Sequence, residues 1–253
     1  MSQGREYRLE LRQPALRAFA LGLFAALALS PALGQRSSRA TVTFTFDFPG
    51  STPDHYVSTV DSSGHATYVS GIRKSLPQAI AKPADSDDID QNDAASTTAS
   101  DEPFEYSFAV SETTRARIFD LAARANYFEG DLEYKKSKVA STGAKTFAYK
   151  DDSRDTHSTF NYTTNQPAQQ LLSLFQNLSA TLEFGRRLLY LQRYQKLALD
   201  QELKRMEEMD KSSSLVELQA VAPILKKVLA DPAVINVSRA RAERLLAKAD
   251  ATR

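Results

Sequence analysis

Hydrophobic and polar residues alternate strictly where the chain first shows strand-forming composition. In the stretch 41–48, TVTFTFDF, every second residue from Val42 to Phe48 is apolar, and threonines and Asp47 occupy the positions between them. An apolar repeat of two in β-forming residues predicts a strand that buries one face. Similar stretches predict strands at 55–60, 65–70, 104–110, 144–151 and 157–164, paired as two hairpins about the turns 61–64 and 152–156.

The apolar spacing becomes helical elsewhere. Ser111 is placed to cap a helix predicted at 112–127, and Asn165 precedes a proline-initiated helix predicted at 167–182. From about 181 to the C-terminus the whole pattern is helical: a long run to 209, a helix capped near Ser212 in which Pro223 could introduce a kink, and a last helix capped by Ser238.

These elements predict an α+β fold. We expect an antiparallel sheet built from two hairpins plus flanking strands with helices on one face, followed by an all-helical C-terminal extension. The α+β domain is predicted at 35–182 and the helical extension at 183–253. A stretch at 71–103 interrupts the domain: from Ser75 to Pro103 it contains seven acidic residues and one lysine, with few apolar residues. Such a segment buries too little surface to offset its ordering entropy, so it is predicted to be a disordered acidic loop.

The first 34 residues have the layout of a secretory signal peptide. Four arginines precede the apolar run 18–29, AFALGLFAALAL, and the small residues before Gln35 suit cleavage after Gly34. The alternative is an uncleaved membrane anchor, but 12 apolar residues are fewer than the roughly 20 that span a bilayer. We therefore expect an exported protein, periplasmic or extracellular, with no stable membrane anchor after cleavage.

Composition narrows the function further. The chain has no cysteine, which excludes disulfides, cysteine nucleophiles and thiolate metal sites, and with an export signal favours a bacterial envelope protein. The first 34 residues carry four arginines and two glutamates, so the remainder of a chain of net charge +1 has a net charge of −1. That balance provides no electrostatic attraction to nucleic acid, and we expect no nucleic-acid partner.

The corner 45–56, TFDFPGSTPDHY, contains the residue types of a hydrolase: Asp47, Ser51, Asp54 and His55. Ser51 is not flanked by the glycines of a nucleophile elbow, and adjacent residues such as Asp54 and His55 point to opposite faces of an extended chain. We therefore interpret these side chains as a polar β-corner that satisfies its own backbone, and predict no catalytic residue.

A metal or phosphate site finds equally little support in the sequence. His55, His65 and His157 would need Asp47, Asp54 or Asp155 as further ligands, and no metal-binding His spacing is present. The acidic run 85–93 does not fit a calcium loop in any register. The stretch 141–146, STGAKT, lacks the adjacent Gly-Lys and the earlier upstream glycine of a phosphate loop. We predict no metal ligand, no cofactor-binding residue and no cofactor.

The C-terminal extension is the feature of the sequence most suited to binding. Its leucines, at 188, 191, 197, 199 and 203, are too irregular for a sustained coiled coil. They pack either on the chain's own domain or on a partner. The leading hypothesis is a non-enzymatic exported bacterial envelope protein that binds a protein partner, or forms a homo-oligomer, through the C-terminal helices. The alternative is a hydrolase or metal-dependent enzyme that uses the 47–65 loop region.

The stretches PGSTPDHYVSTVDSSGHATY, NYFEGD and STGAKTFAYKDDSRDTHSTFNY follow one another in the order seen in a family of small exported bacterial domains of unknown function. Residues 47–182 resemble that family, which has a G-x-C-P-x-Y motif before its first hairpin, a T-x-x-x-T strand and a proline-started final helix. Gly50 and Pro53 match the first motif, Tyr56 lies one position after its tyrosine, Thr52 replaces its cysteine, and the acidic stretch is additional. The resemblance implies the fold and export, and it implies no activity and no catalytic residue.

Overall fold

Six antiparallel strands form one sheet, as the alternating pattern predicts. The structure is a computed structural model that describes residues 39–71 and 103–251, so the predicted signal peptide and residues 72–102 of the predicted acidic loop lie outside the described residues. The strands lie in the order β4-β3-β2-β1-β5-β6. They are β1 (Thr41–Asp47), β2 (His55–Asp61), β3 (His65–Gly71), β4 (Phe104–Ala109), β5 (Ala144–Lys150) and β6 (Asp155–Phe160).

Five helices follow or separate the strands in the described part of the chain. They are α1 (Glu112–Arg124), α2 (Gln166–Tyr194), α3 (Leu199–Lys211), α4 (Ala222–Ala230) and α5 (Asn236–Ala251), with short 3-10 turns at Asn126–Phe128, Lys196–Ala198 and Leu218–Val221. The predicted α+β fold with a helical C-terminus is confirmed. Ser111 caps α1 as predicted, and Asn165 caps α2, which has the predicted proline in its first turn; each cap accepts a backbone N–H in the first turn.

The helices cover the inner face of the sheet, where the apolar side chains of the alternating strands are buried. Phe44, at the centre of β1, is fully buried and lies between Phe147 of β5 and Phe175 of α2, with ring centroids 5.1 Å and 5.4 Å away. The outer face carries the alternate residues of the same strands, which are half-buried or exposed and include many threonines and charged residues. Layering on one face therefore follows directly from the repeat of two.

Helix α2 is longer than the sequence pattern indicates. The pattern predicts an end at 182, but the helix continues to Tyr194 because no proline interrupts it and its C-terminal half is buried. Gly185 lies where α2 packs against the 3-10 turn Leu218–Val221 and α4. A Cβ at this position would lie 2.8 Å from Cγ1 of Val221 and 3.0 Å from Cδ1 of Ile224. The division predicted at 182/183 thus falls inside one helix.

The remaining differences concern where the C-terminal helices begin. The predicted run to 209 is broken at Gln195, and Pro223 lies in the first turn of α4 instead of kinking a helix. Helix α5 begins at Asn236, so Ser238 lies inside it and is fully buried, and the prediction that Ser238 is the cap is wrong. Its inward-facing side chain cannot reach the free N–H groups of the first turn.

The apolar stripes of the C-terminal helices pack on the chain's own core. Leu199, Leu203 and Met206 of α3, Leu225 of α4 and Leu245 of α5 are all fully or almost fully buried. Salt bridges tie α3 to α5 at the surface, from Arg241 to Asp200 and Glu207, from Arg244 to Glu207, and from Lys248 to Asp210. A partner of these helices would therefore have to bind some other part of their surface.

Candidate functional site

The side chain of Ser51 hydrogen-bonds to backbone carbonyls of the same corner. Its hydroxyl lies 2.7 Å from the carbonyl oxygen of Phe48 and 2.8 Å from that of Pro53, and the amide of Ser51 also donates to Phe48. A hydroxyl that donates to a backbone carbonyl is not oriented toward a general base. Ser51 therefore makes the local side-chain to backbone hydrogen bonds that are expected of a polar β-corner.

Asp47 and His55 form a pair that sequence reasoning missed. They lie opposite each other in the β1–β2 register, and Nδ1 of His55 is 2.6 Å from Oδ1 of Asp47. Both side chains project from the outer face and are about a quarter exposed. The hairpin register would have identified this pair, since the turn between β1 and β2 brings 47 opposite 55. No hydrogen bond joins Ser51 to His55 in the described structure, so the pair has no nucleophile from the corner.

The other residues considered for a metal site stay apart. His65 is exposed at the start of β3, where its backbone N–H donates to Asp61, and His157 is exposed on β6 opposite Ala148. Within residues 39–71 and 103–251, no group of three or more His, Cys, Asp or Glu side chains is placed to hold a metal ion. One carboxylate oxygen of Asp54 is buried without a hydrogen-bond partner, and we have no physical account of it.

The most buried polar cluster links the sheet to α2. Glu183 accepts hydrogen bonds from the hydroxyls of Tyr68 and Ser70 at 2.9 Å and 2.5 Å, and from Nε of Arg186 at 3.0 Å. Burial and the neighbouring Glu183 carboxylate raise the pKa of Tyr68, so this tyrosine remains a neutral donor. Because the cluster satisfies its own charge and hydroxyl groups, it joins two layers of the fold and leaves no group poised for acid–base chemistry.

A groove of about 310 Å³ lies between the corner and helices α2 and α3. Its walls combine apolar residues such as Phe184 with Arg187 and Arg205, and both arginines are paired with Glu202. The Arg187 guanidinium also lies 4.5 Å from the centre of the Phe184 ring. Through these contacts the two arginines stabilise the packing of α2 against α3, which explains the positive charge in the groove.

Strand β4 is an edge of the sheet, and the hydrogen-bond pattern shows which of its backbone groups face outward. The amide of Val110 donates to the carbonyl of Gly64 at 3.0 Å, which continues the β3–β4 register by one residue. Residues in an antiparallel pair alternate between groups that face the partner strand and groups that face away. The N–H and C=O groups of Glu105, Ser107 and Ala109 therefore point away from β3, and no hydrogen bond joins them to another described residue outside the sheet.

At the opposite edge, another segment of the chain packs against β6, mainly through side chains of the strand. The segment 127–142 lies along β6, where Thr156 donates to the carbonyl of Tyr127, Ser158 accepts the amide of Leu132, and Asn161 donates its amide to Glu133. Proteins commonly cover a sheet edge in this way to prevent pairing with another chain. Among the described residues, β4 lacks such a cover over its central positions.

A groove of about 430 Å³ runs beside the β4 edge. The strand and the residues up to Glu112 form one wall, and Gln219, Ala220 and Pro223 from the C-terminal extension form the other. The hydroxyl of Tyr106 donates to the carbonyl of Ala220 at 2.7 Å, which fixes the distance between the two walls. Burial raises the pKa of Tyr106, so this donor stays protonated.

Glu217 binds Ser111 at one end of this groove. Its carboxylate accepts the backbone N–H and the hydroxyl of Ser111, both at 2.7 Å, so the next outward-facing amide after Ala109 is already occupied. The carbonyl of Ser111 accepts the first helical hydrogen bond from Arg115. Pro103, which has no N–H, lies just before the strand at the other end. The edge groups open to a ligand are thereby limited to three residues, Glu105, Ser107 and Ala109.

No part of this β4-edge groove was singled out from the sequence. The alternation in FEYSFAV predicted the strand, but strand order is a property of the assembled sheet, so the sequence carried no signal that β4 would lie at an edge. The wall from residues 219–223 belongs to a segment more than 100 positions away. Only the stacking of Tyr106 between Phe104 and Phe108 could have been expected from the spacing of the aromatic residues.

Comparison with known proteins adds no relative to this picture. No family model, no curated protein and no solved structure matches the chain. Within the described residues, no helix is both long enough and apolar enough to cross a membrane. The geometry of the β4-edge groove is therefore the basis on which a function can be proposed.

Proposed function

We propose that this chain is an exported, non-enzymatic protein-binding module whose partner occupies the β4-edge groove. The single observation that carries the proposal is the edge of β4, which no other part of the described chain pairs: three residues present outward N–H and C=O groups beside a groove that the C-terminal helices help to build. Such an edge is a template for pairing with another chain. The proposed role in binding thus involves the C-terminal extension through residues 219–223 and not through its buried leucines.

Export and kinship with the exported bacterial domains belong to the same proposal. The pattern of residues 1–34 supports export to the periplasm or beyond, and the motifs at Gly50, Pro53 and Tyr56 support the kinship. The alternative, a hydrolase that uses the 47–65 region, is supported by the Asp47–His55 pair alone. We favour binding, because Ser51 is held by backbone carbonyls and the described structure offers His55 no nucleophile.

Site-specific crosslinking tests the proposal in the cells that make the protein. A photoreactive phenylalanine analogue replaces Ser107 at the β4 edge, and in a control it replaces Lys150, an exposed residue at the end of β5. We expect a covalent adduct from position 107 and none from position 150. No adduct at 107, or equal adducts at both positions, would remove the β4 edge as the binding surface.

A further inference from the structure

We propose that the ligand of the β4-edge groove is an extended segment of a partner protein that carries a basic residue next to an alternating apolar pair. The segment adds a seventh strand to the sheet by pairing with β4. This inference rests on the proposed binding function and specifies the chemistry of the partner.

The length of the bound segment follows from the edge. Glu105, Ser107 and Ala109 each present both an N–H and a C=O, and pairing with all three requires about five consecutive residues of the guest strand. Beyond Ala109 the guest meets Ser111, whose amide is held by Glu217. The site therefore fits a short extended segment and does not continue into a long interface.

The side chains of the guest are selected by the two faces of the sheet. Guest residues opposite Tyr106 and Phe108 point to the inner side, where the aromatic rings and the wall of Ala220 and Pro223 offer an apolar surface. Guest residues opposite Glu105, Ser107 and Ala109 point to the outer side, where the neighbours are small or acidic. Alternating apolar and polar guest residues fit this arrangement.

Charge selects a basic guest. Among the described residues that line the groove, the one charged side chain is Glu112, which is paired with Arg115. Glu105 on β4 is exposed. A lysine or arginine of the guest directly opposite Glu105 would form a cross-strand pair of opposite charge. The acidic stretch 75–103 of this chain has the same sign as these glutamates, so charge disfavours it as the occupant.

A second copy of this chain fits less well than a single strand. Pairing of β4 with β4 of another copy about Ser107 would place Glu105 opposite Ala109 without a charge clash. However, the wall of residues 219–223 stands on the inner side of the edge, where the helix layer of a second sheet would have to lie. The groove accommodates one added strand more readily than a whole second sheet.

The test measures binding of a fluorescein-labelled peptide, GKVTVKG, to the protein by fluorescence anisotropy. This sequence presents a lysine opposite Glu105 in either strand direction. We expect saturable binding, at least tenfold weaker binding of GEVTVEG, and slower hydrogen exchange of the Ser107 and Ala109 amides when GKVTVKG is bound. Equal binding of the acidic and basic peptides, or no change in exchange at these amides, would overturn the inference.

Matched variants separate backbone pairing from other modes of binding. S107P removes one outward N–H without removing a bond to β3, and proline is tolerated on an edge strand, whereas S107A keeps the N–H. We expect at least tenfold weaker binding by S107P and less than a twofold change for S107A. E105K should prefer GEVTVEG, whereas E105Q should lose most of the preference for basic peptides. Equal binding by S107P and S107A would exclude strand addition.

If S107P does not fold, a peptide with an N-methyl group on its central threonine tests backbone pairing on the unmodified protein, because it removes the guest N–H that would donate to the β4 edge. Its binding should fall at least tenfold, and unchanged binding would overturn the inference. A crosslink from position 107 without binding of GKVTVKG would keep the proposed function and refute this choice of ligand. Failure of both would refute both, and a dimer that S107P dissociates would identify the occupant as a second copy.

Discussion

Replacing Glu183 should cost this protein a large part of its stability, because one carboxylate joins the sheet to α2. In Glu183→Ala, the hydroxyls of Tyr68 and Ser70 and Nε of Arg186 lose an acceptor that now lies 2.5 to 3.0 Å away. Removing one member of a buried ion pair typically costs about 3–5 kcal/mol. Tyr68 keeps its hydrogen bond with Ser179, so we expect a loss of about 3–4 kcal/mol in the free energy of unfolding.

Glu183→Gln separates the contribution of charge from that of hydrogen bonding. The amide oxygen of glutamine can still accept from Tyr68 and Ser70, whereas the charge opposite Arg186 is lost. A hydrogen bond to a charged group contributes about 1.5–3 kcal/mol, so this variant should lose about 2 kcal/mol. A double-mutant cycle with Arg186→Met should then give a coupling energy of more than 1 kcal/mol.

The assay is urea unfolding at neutral pH followed by far-ultraviolet circular dichroism, since the chain has no tryptophan. The matched control is Glu208→Ala on α3, whose carboxylate lies 4.0 Å from Lys204 at the surface and is 59% exposed. Exposed helix pairs contribute about 0.3–0.5 kcal/mol, so the control should barely change stability. If Glu183→Ala and Glu208→Ala differ by less than 1 kcal/mol, the buried network does not hold the layers together.

Three further results follow from the packing and the surface charges. Gly143→Ala should destabilise more than Gly130→Ala in thermal unfolding, because both have φ near +90° but only at 143 would the Cβ lie 2.6 Å from another side chain; equal losses would contradict this. Gly185→Leu should lower the melting temperature and separate α4 from α2, seen as faster hydrogen exchange in α4; unchanged exchange would argue against close packing there. Despite partial burial, which raises it, hydrogen bonds from Arg244 and Arg241 lower the pKa of Glu207 below 4.5. The ionised carboxylate therefore stabilises the fold above that pH, and this contribution is lost as the pH falls through the folded pKa. On acidification from about pH 5 to 3, Glu207→Gln should lose less stability than the unmodified protein. Identical pH profiles of the two proteins would contradict this.

Local patterns predicted most of the fold correctly. The alternation from Val42 to Phe48 identified β1 and its buried face, and the Ser111 cap and Pro167 located the starts of α1 and α2. These features depend on residues close in sequence, where backbone geometry and burial of one face decide the outcome. The end of α2 was placed too early, because burial under the 3-10 turn and α4 stabilises a stretch whose own pattern is less regular.

The candidate site could not be predicted from the sequence to the same extent as the fold. The pairing of Asp47 with His55 required the register of β1 and β2, and the interpretation of Ser51 as a structural residue required only local reasoning. The β4-edge groove combines a strand, a capped helix start and a distant C-terminal turn. None of its three parts carries a motif of its own.

By itself, the sequence determined the class of fold, the strands and most helix starts, and the absence of cysteine chemistry, because these properties are set by composition and short-range periodicity. The tertiary structure alone decided that β4 is an edge, that its outward amides belong to Glu105, Ser107 and Ala109, and that Glu217 and residues 219–223 frame them. Strand order and the packing of the C-terminal helices bring together groups separated by more than 100 residues, and no local pattern encodes that proximity.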